Sequence, residues 1–259
     1  MKILQWFLAS LIALVLITPL RAGDQNQPKL GIEEKLGQTI PLDAEFYDEK
    51  GQLVSLKDLV NKPTIFTFVY FRCPGICTPL LNELARIVEK TDLVLGKDYQ
   101  IISVSFNHRE TPDMAAGKKE SYLQSINKAV DPNGWRFLTG DSLSIHRLTS
   151  GAGFYFMPSG NDFIHAGALI VVSPEGKITR YINGIKYLPF DVKMAVYEAS
   201  TGKVGPTIAN ILRFCYSYNP EGHAYTLNFM RISLVVTLGF VGVFVLVFIV
   251  RPRKKQPER

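Results

Sequence analysis

Apolar residues recur along this chain with two periods, and each switch between them marks an element. Thr64 to Phe71 is an apolar, β-branched run that closes on Pro74-Gly75, which predicts a buried strand. From Thr78 as cap, with Pro79 as first helical residue, Leu80, Leu81, Leu84, Ile87 and Val88 fall at helical spacing and predict a helix with one core stripe. Tyr99 to Phe106 predicts a second buried strand, and Thr111-Pro112-Asp113 opens a helix running to about Asn127. Trp135 to Leu138 reads as a strand and Leu143 to Thr149 as a helix. Phe163 to Val172 and Lys177 to Ile182 flank Ser173-Pro174-Glu175-Gly176 as a hairpin, and Phe190 to Glu198 reads as the last helix of the domain. Upstream, Thr39 to Phe46 and Leu53 to Leu59 read as short strands around the Glu49-Lys50-Gly51 turn. Strands alternating with helices and finishing in a hairpin imply an α/β domain, a mixed sheet covered by helices on both faces.

The two ends of the chain carry a different pattern. Residues 1–22 hold Lys2, an apolar run from Ile3 to Leu20 and Arg21-Ala22, the pattern of a secretory signal or an N-terminal anchor. Ile232 to Val250 has no charge, and residues 231–250 are long enough to cross roughly 30 Å of hydrocarbon as a helix. The basic tail 251–259, with Arg251, Arg253, Lys254 and Lys255, is a positive-inside stop that places the C-terminus in the cytoplasm. The expected order is therefore a polar linker over 23–35, one globular domain over 36–200, a juxtamembrane segment over 201–230 and a single C-terminal span. The globular domain is then extracytoplasmic, on the periplasmic side of a bacterial-type cytoplasmic membrane. Charge agrees with this division. The chain is +6 overall, but Lys2, Arg21, Arg231 and the tail supply +7 net, and the rest is close to neutral. The basic balance is a topology signal and argues against a nucleic-acid partner. With three cysteines in all, an exported domain of this size has no disulfide scaffold.

Two of those cysteines, Cys73 and Cys77, stand where the first buried strand gives way to its helix, with Pro74, Gly75 and Ile76 between them. A strand leading through cysteines into a helix, in a mixed sheet, looks like the thioredoxin fold. Both thiols lie at or just before a helix N-terminus, where free N–H groups and the macrodipole favour thiolate. Thiolates are soft ligands suited to Cu(I) and Zn, and a neutral imidazole suits Cu and Zn. The same pair can instead close on itself as a small disulfide ring and act in thiol-disulfide exchange. Four histidines compete for a third ligand position. His165 stands at the start of the apolar strand Ala166 to Val172 that opens the final hairpin, and His108 follows the second strand, where ligands gather in open α/β sheets. His146 falls within a helix, and His223 lies in a turn close to the expected span. Residue pattern alone leaves the choice open.

Asn61 to Glu89, with Cys73-Pro74-Gly75-Ile76-Cys77 after an aromatic strand, resembles the Sco/SenC copper-delivery proteins of cytochrome oxidase assembly. So do Ser103-Val104-Ser105 followed by Thr111-Pro112, and His165 followed by a strand and Ser173-Pro174-Glu175-Gly176. The resemblance covers roughly Lys29 to Ser200. It implies a thioredoxin-like domain binding one copper ion, Cu(I) or Cu(II), through Cys73, Cys77 and His165. It implies as partner the copper-receiving subunit of a respiratory oxidase, whose own cysteines the Cys73–Cys77 pair can also reduce. The chain departs from the family pattern in three places. Thr78 follows the second cysteine where proline is frequent, Asn107 stands where an aspartate is common, and Asp162 lies three residues ahead of His165 rather than just ahead of it. The membrane span is C-terminal here, whereas many relatives carry an N-terminal anchor.

Two readings therefore stand together. The first is a metallochaperone tethered to the membrane by its C-terminal helix, with Phe71, Pro74 and Ile76 exposed around the site as a docking rim. The alternative is an extracytoplasmic thiol-disulfide oxidoreductase with Cys73 and Cys77 as the redox-active pair. The usual mark of the latter, two residues between the cysteines beside a tryptophan, is missing, since Trp6 and Trp135 are remote in sequence. A closed zinc site normally needs four protein ligands, and only three are evident. Cys215, with His223, offers either an accessory metal pair or a buried thiol among interfacial Tyr216, Tyr218 and Tyr225, in a segment whose alternation reads as a hairpin.

Overall fold

The structure is a computed structural model that describes residues 29–160, 162–204, 216–219, 224–227, 233 and 237–244. Its elements run β1 Gly31–Ile32, β2 Glu45–Tyr47, β3 Leu53–Ser55, α1 Leu56–Leu59, β4 Thr64–Val69, α2 Cys77–Lys90, β5 Gln100–Ser105, α3 Pro112–Gln124, β6 Trp135–Leu138 and α4 Ser142–Gly151. They continue with β7 Phe154–Tyr155, β8 Met157–Ser159, β9 Asp162–Ile164, β10 Ala168–Val172, β11 Ile178–Asn183, α5 Pro189–Ser200, β12 Tyr216–Asn219 and β13 Ala224–Leu227. Five strands form the central sheet in the order β11-β10-β4-β5-β6. β4, β5 and β6 are parallel, joined by crossovers through α2 and α3, while β10 pairs antiparallel with β4 and β11 antiparallel with β10. Every residue of β4, β5 and β10 is buried, Gln100, Ser103 and Ser105 of β5 included, so both faces of the sheet's centre are covered. On β6, Trp135 is fully buried, donates Nε1–H to Ser103 Oγ at 2.9 Å and packs with Phe137 against Tyr122 of α3. That tryptophan is core and takes no part in thiol chemistry.

Several expected boundaries change, each for a local reason. Leu53 to Leu59 is a strand only to Ser55, whose hydroxyl accepts from Lys57 N–H and caps the short α1. Thr39 to Phe46 reduces to a single bridge, Thr39 with Lys177, followed by β2. The end of the expected linker is structured, because Gly31–Ile32 pair with Phe154–Tyr155. Gly153 allows this close approach. It has φ +66°, and a Cβ there would sit 1.9 Å from the Glu33 carbonyl oxygen. The run Phe163 to Val172 is two strands broken at residues 165–167, where Gly184 N–H donates to Gly167 O at 2.8 Å. The hairpin expected within residues 201–230 forms as β12 paired antiparallel with β13, while Cys215 and His223 lie outside the described residues. Among the described residues no helix is long and apolar enough to cross a membrane. Residues 237–244 are helical, and most of the expected span, with the expected signal, lies outside the described residues.

Candidate metal site

β4 ends at Val69, and the chain turns through Tyr70, Phe71 and Arg72 into the loop that carries the thiols. Glu110 shapes that turn. Its carboxylate is buried, accepts from Phe71 N–H at 2.7 Å and Arg72 N–H at 2.9 Å, and takes the Ser105 hydroxyl at 2.6 Å. Glu110 follows β5, the parallel neighbour of β4, so one side chain ties two adjacent strand ends together. Within the loop, Cys73 N–H donates to Tyr70 O at 3.2 Å and Gly75 N–H to Cys73 Sγ at 3.3 Å. α2 begins two residues earlier than its Thr78 cap signal suggests. Cys77 is its first residue, Ile76 is the cap without a side-chain bond, and Pro79 falls in the first turn, where N–H groups lack helical partners anyway. Phe71, expected on the rim, is instead core, leaving Pro74 exposed and Ile76 half-buried.

His165 occupies the break between β9 and β10. Because β10 pairs with β4, with Leu169 opposite Thr67, the residues ahead of β10 arrive beside the end of β4 and the thiol loop. His165 Nε2 lies 3.5 Å from Cys77 Sγ, and the donor atoms of Cys73, Cys77 and His165 all fall within 4.8 Å of one another. Nδ1 stands 3.0 Å from the Ala166 carbonyl. That bond assigns the ring proton to Nδ1 and leaves the Nε2 lone pair aimed at the sulfurs. The rings of Tyr70, Phe106 and Phe154 surround the imidazole, with centroids 5.9, 4.9 and 6.2 Å away. Of the other histidines, His108 is exposed in the turn after β5 and His146 is exposed on α4, beside Ser150. Neither joins the cluster.

The two thiols differ. Burial acts most strongly on Cys73 and pushes it up, but bonds from the Cys77 thiol and N–H, the Gly75 N–H and the Tyr70 hydroxyl outweigh it, so the net shift is downward. Cys77 goes the other way. Burial pushes its thiol well up, and the neighbouring Cys73 sulfur adds to the effect. Helix-terminal activation of both thiols is therefore not what the structure gives. Cys77 sits at the N-terminus but is 2 % exposed, and desolvation overrides the dipole. Burial also lowers His165 from its ordinary 6.5, with the Ala166 carbonyl pulling weakly back. A histidine depressed on folding contributes its full stability above 6.5 and loses it as pH falls from there toward the folded value. The urea midpoint of the metal-free chain should thus fall between pH 7.5 and 5.5 by more than that of His165→Asn. The difference is a fraction of the ~1.4 kcal/mol that one pH unit carries, since solvent screens a half-buried ring. Equal slopes in both proteins would contradict it.

Two side chains of this site were not singled out by sequence. Glu110 gives no hydropathy signal, because a lone acid after a strand reads as solvated. Tyr70 sits inside an apolar run, and its hydroxyl is the only hint of a polar task. Its O–H donates to Asp162 Oδ1 at 3.4 Å and also interacts with the Cys73 sulfur.

A dithiol between strand and helix, with an imidazole from the break just ahead of the neighbouring antiparallel strand, defines a thioredoxin-like protein whose three donors could hold a soft metal ion. The SCO1/SenC family model matches residues 34–193, and the chain belongs to that family. The SCO1 protein homolog of Bacillus subtilis is 28% identical over 163 residues, spanning 61% of this chain and 81% of its own. A protein of Stutzerimonas stutzeri, provisionally described as copper-binding, is 26% identical over 144 residues, covering 53% of this chain and 66% of its own. Among solved structures, an Aquifex aeolicus protein provisionally described as an electron transfer protein superposes with TM-score 0.59 at 30% identity, covering 65% of this chain and 95% of its own. BsSco, described as a member of the Sco family of cytochrome c oxidase assembly proteins, shares the fold with TM-score 0.51 at 23% identity, covering 66% and 99%.

Proposed function

We propose that this chain is a membrane-tethered copper carrier that binds one copper ion through Cys73, Cys77 and His165 and delivers it to the copper centre of a cytochrome oxidase subunit. The observation that carries the reading is the convergence of two sulfurs and an unprotonated Nε2 within 4.8 Å in a SCO1/SenC protein. Two thiolates suit Cu(I), and the added imidazole suits Cu(II). Three donors leave a position open through which an acceptor's ligand can enter, so release proceeds by ligand exchange. Exposed Pro74 and Ile164, with half-buried Ile76, give an apolar rim for docking. The apolar segment 231–250 and basic tail support a C-terminal tether with the domain outside the cytoplasm, which confines donor and acceptor to one layer and raises effective concentration. The test is transfer from the copper-loaded full chain, in detergent, to a metal-free copper domain of an oxidase subunit. Faster transfer to that domain than to a small chelator of equal affinity is expected. Equal rates would remove docking, and no transfer would remove delivery.

The thiol asymmetry favours a second activity at the same site. Half-exposed Cys73, with its lowered pKa, can attack a target disulfide, displacing one target thiolate and forming a mixed disulfide. Cys77 then closes on Cys73 and releases the second target thiol. Two electrons pass to the target, and the Cys73–Cys77 disulfide awaits an external dithiol reductant.

A further inference from the structure

The segment that brings His165 to the site is weakly attached to the domain. β9 pairs only with β8, and this two-stranded hairpin is not part of the five-stranded sheet. Phe156 and Phe163 pack on Phe106, and Phe163 also meets Tyr70 edge-on. Among the described residues, the one hydrogen bond from the β8–β9 hairpin to the rest of the domain is that of Tyr70 to Asp162. Tyr70 is 4 % exposed and stands three residues before Cys73, whereas Asp162 is exposed and stands three residues before His165. The bond thus joins the strand end that presents the dithiol to the strand that presents the imidazole. At 3.4 Å it is long for an O–H donor to a carboxylate, so it is a weak clasp rather than a fixed strut.

Building on the copper-carrier reading, we propose that Tyr70 is a positioning residue whose hydroxyl clasps Asp162 and so sets His165 over the dithiol. The clasp acts on the ligand that matters most for Cu(II). Removal of the clasp loosens the imidazole arm and leaves the two sulfurs where Glu110 and α2 hold them.

The test uses the full chain in detergent with Tyr70→Phe, Asp162→Asn and the double variant, and it has two arms. In the first, Cu(II) is released to a chelator in a stopped-flow instrument, and Cu(I) affinity is measured by competition with a chromophoric chelator. Each single variant should speed Cu(II) release about tenfold, the lower end of the range for residues that orient a metal ligand. The double variant should be no faster than Tyr70→Phe, and the Cu(I) affinity of Asp162→Asn, which leaves the Tyr70 hydroxyl in place, should stay within about twofold. In the second arm, backbone amide exchange of the metal-free protein should quicken over residues 157–164 and not in β4 or β5. Unchanged exchange over 157–164, unchanged Cu(II) release, or additive effects in the double variant would overturn the clasp. A wild-type chain that takes no copper would overturn the carrier reading instead, and the exchange arm would still decide whether the clasp exists.

Discussion

Glu110→Ala is expected to destabilise the metal-free chain by about 3 kcal/mol and to weaken copper binding in both oxidation states. The carboxylate is buried and satisfies two backbone N–H groups and one hydroxyl. Without it these donors lose their acceptor, at about 1–3 kcal/mol each when fully buried, and water entering at the loop recovers part of the loss. For a domain of this size the melting temperature should drop by roughly 6–12 °C. Glu110→Gln should cost about half as much, because the amide oxygen can still accept while its NH₂ group meets a donor. Thermal unfolding of the three proteins checks the order. If Glu110→Ala melted with the wild type, the carboxylate would not be holding the turn into Cys73, and the account of how the loop is shaped would fail.

His165→Ala should separate the two copper states. Two thiolates hold Cu(I) adequately on their own, whereas Cu(II) depends on the harder nitrogen donor. The expected loss for Cu(II) exceeds about a hundredfold, beyond the range for residues that only orient a ligand. The loss for Cu(I) should be under about tenfold. Competition titrations with one chelator for each ion measure both. Equal losses would contradict the assigned roles of the three donors. The contrast with Glu110→Ala is informative, since that change disturbs the sulfurs and should weaken both states together.

Much of this was legible because local signals and tertiary placement agreed. The runs Thr64–Phe71 and Tyr99–Phe106 predicted buried strands, which the structure gives as Thr64–Val69 and Gln100–Ser105, and the stripe Leu80, Leu81, Leu84, Ile87 and Val88 is the buried face of α2. The dithiol was visible as spacing, and His165 entered through family resemblance. Its placement beside the sulfurs depends on β10 pairing with β4, a contact between residues about a hundred apart that no local pattern encodes. What escaped were effects of burial on polar groups. Cys77 read as an activated helix-terminal thiol, but its 2 % exposure raises the thiol instead. Glu110 drew no reading from the sequence and is the buried acceptor for the thiol loop. Asp162 read as a displaced family residue, and the structure pairs it with Tyr70. The break at residues 165–167 escaped because Ile164 and Ala168 are both apolar and the run looked continuous.

The most direct test of the central claim is copper stoichiometry and affinity of the reduced, metal-free full chain beside Cys73→Ser, Cys77→Ser and His165→Ala. One tightly bound ion per wild-type chain is expected, lost in either serine variant and weakened selectively for Cu(II) in His165→Ala. Tight copper binding that survives loss of either cysteine would place the metal elsewhere. A wild-type chain that binds no copper yet rapidly reduces a test disulfide, with or without His165, would make the dithiol a redox centre instead.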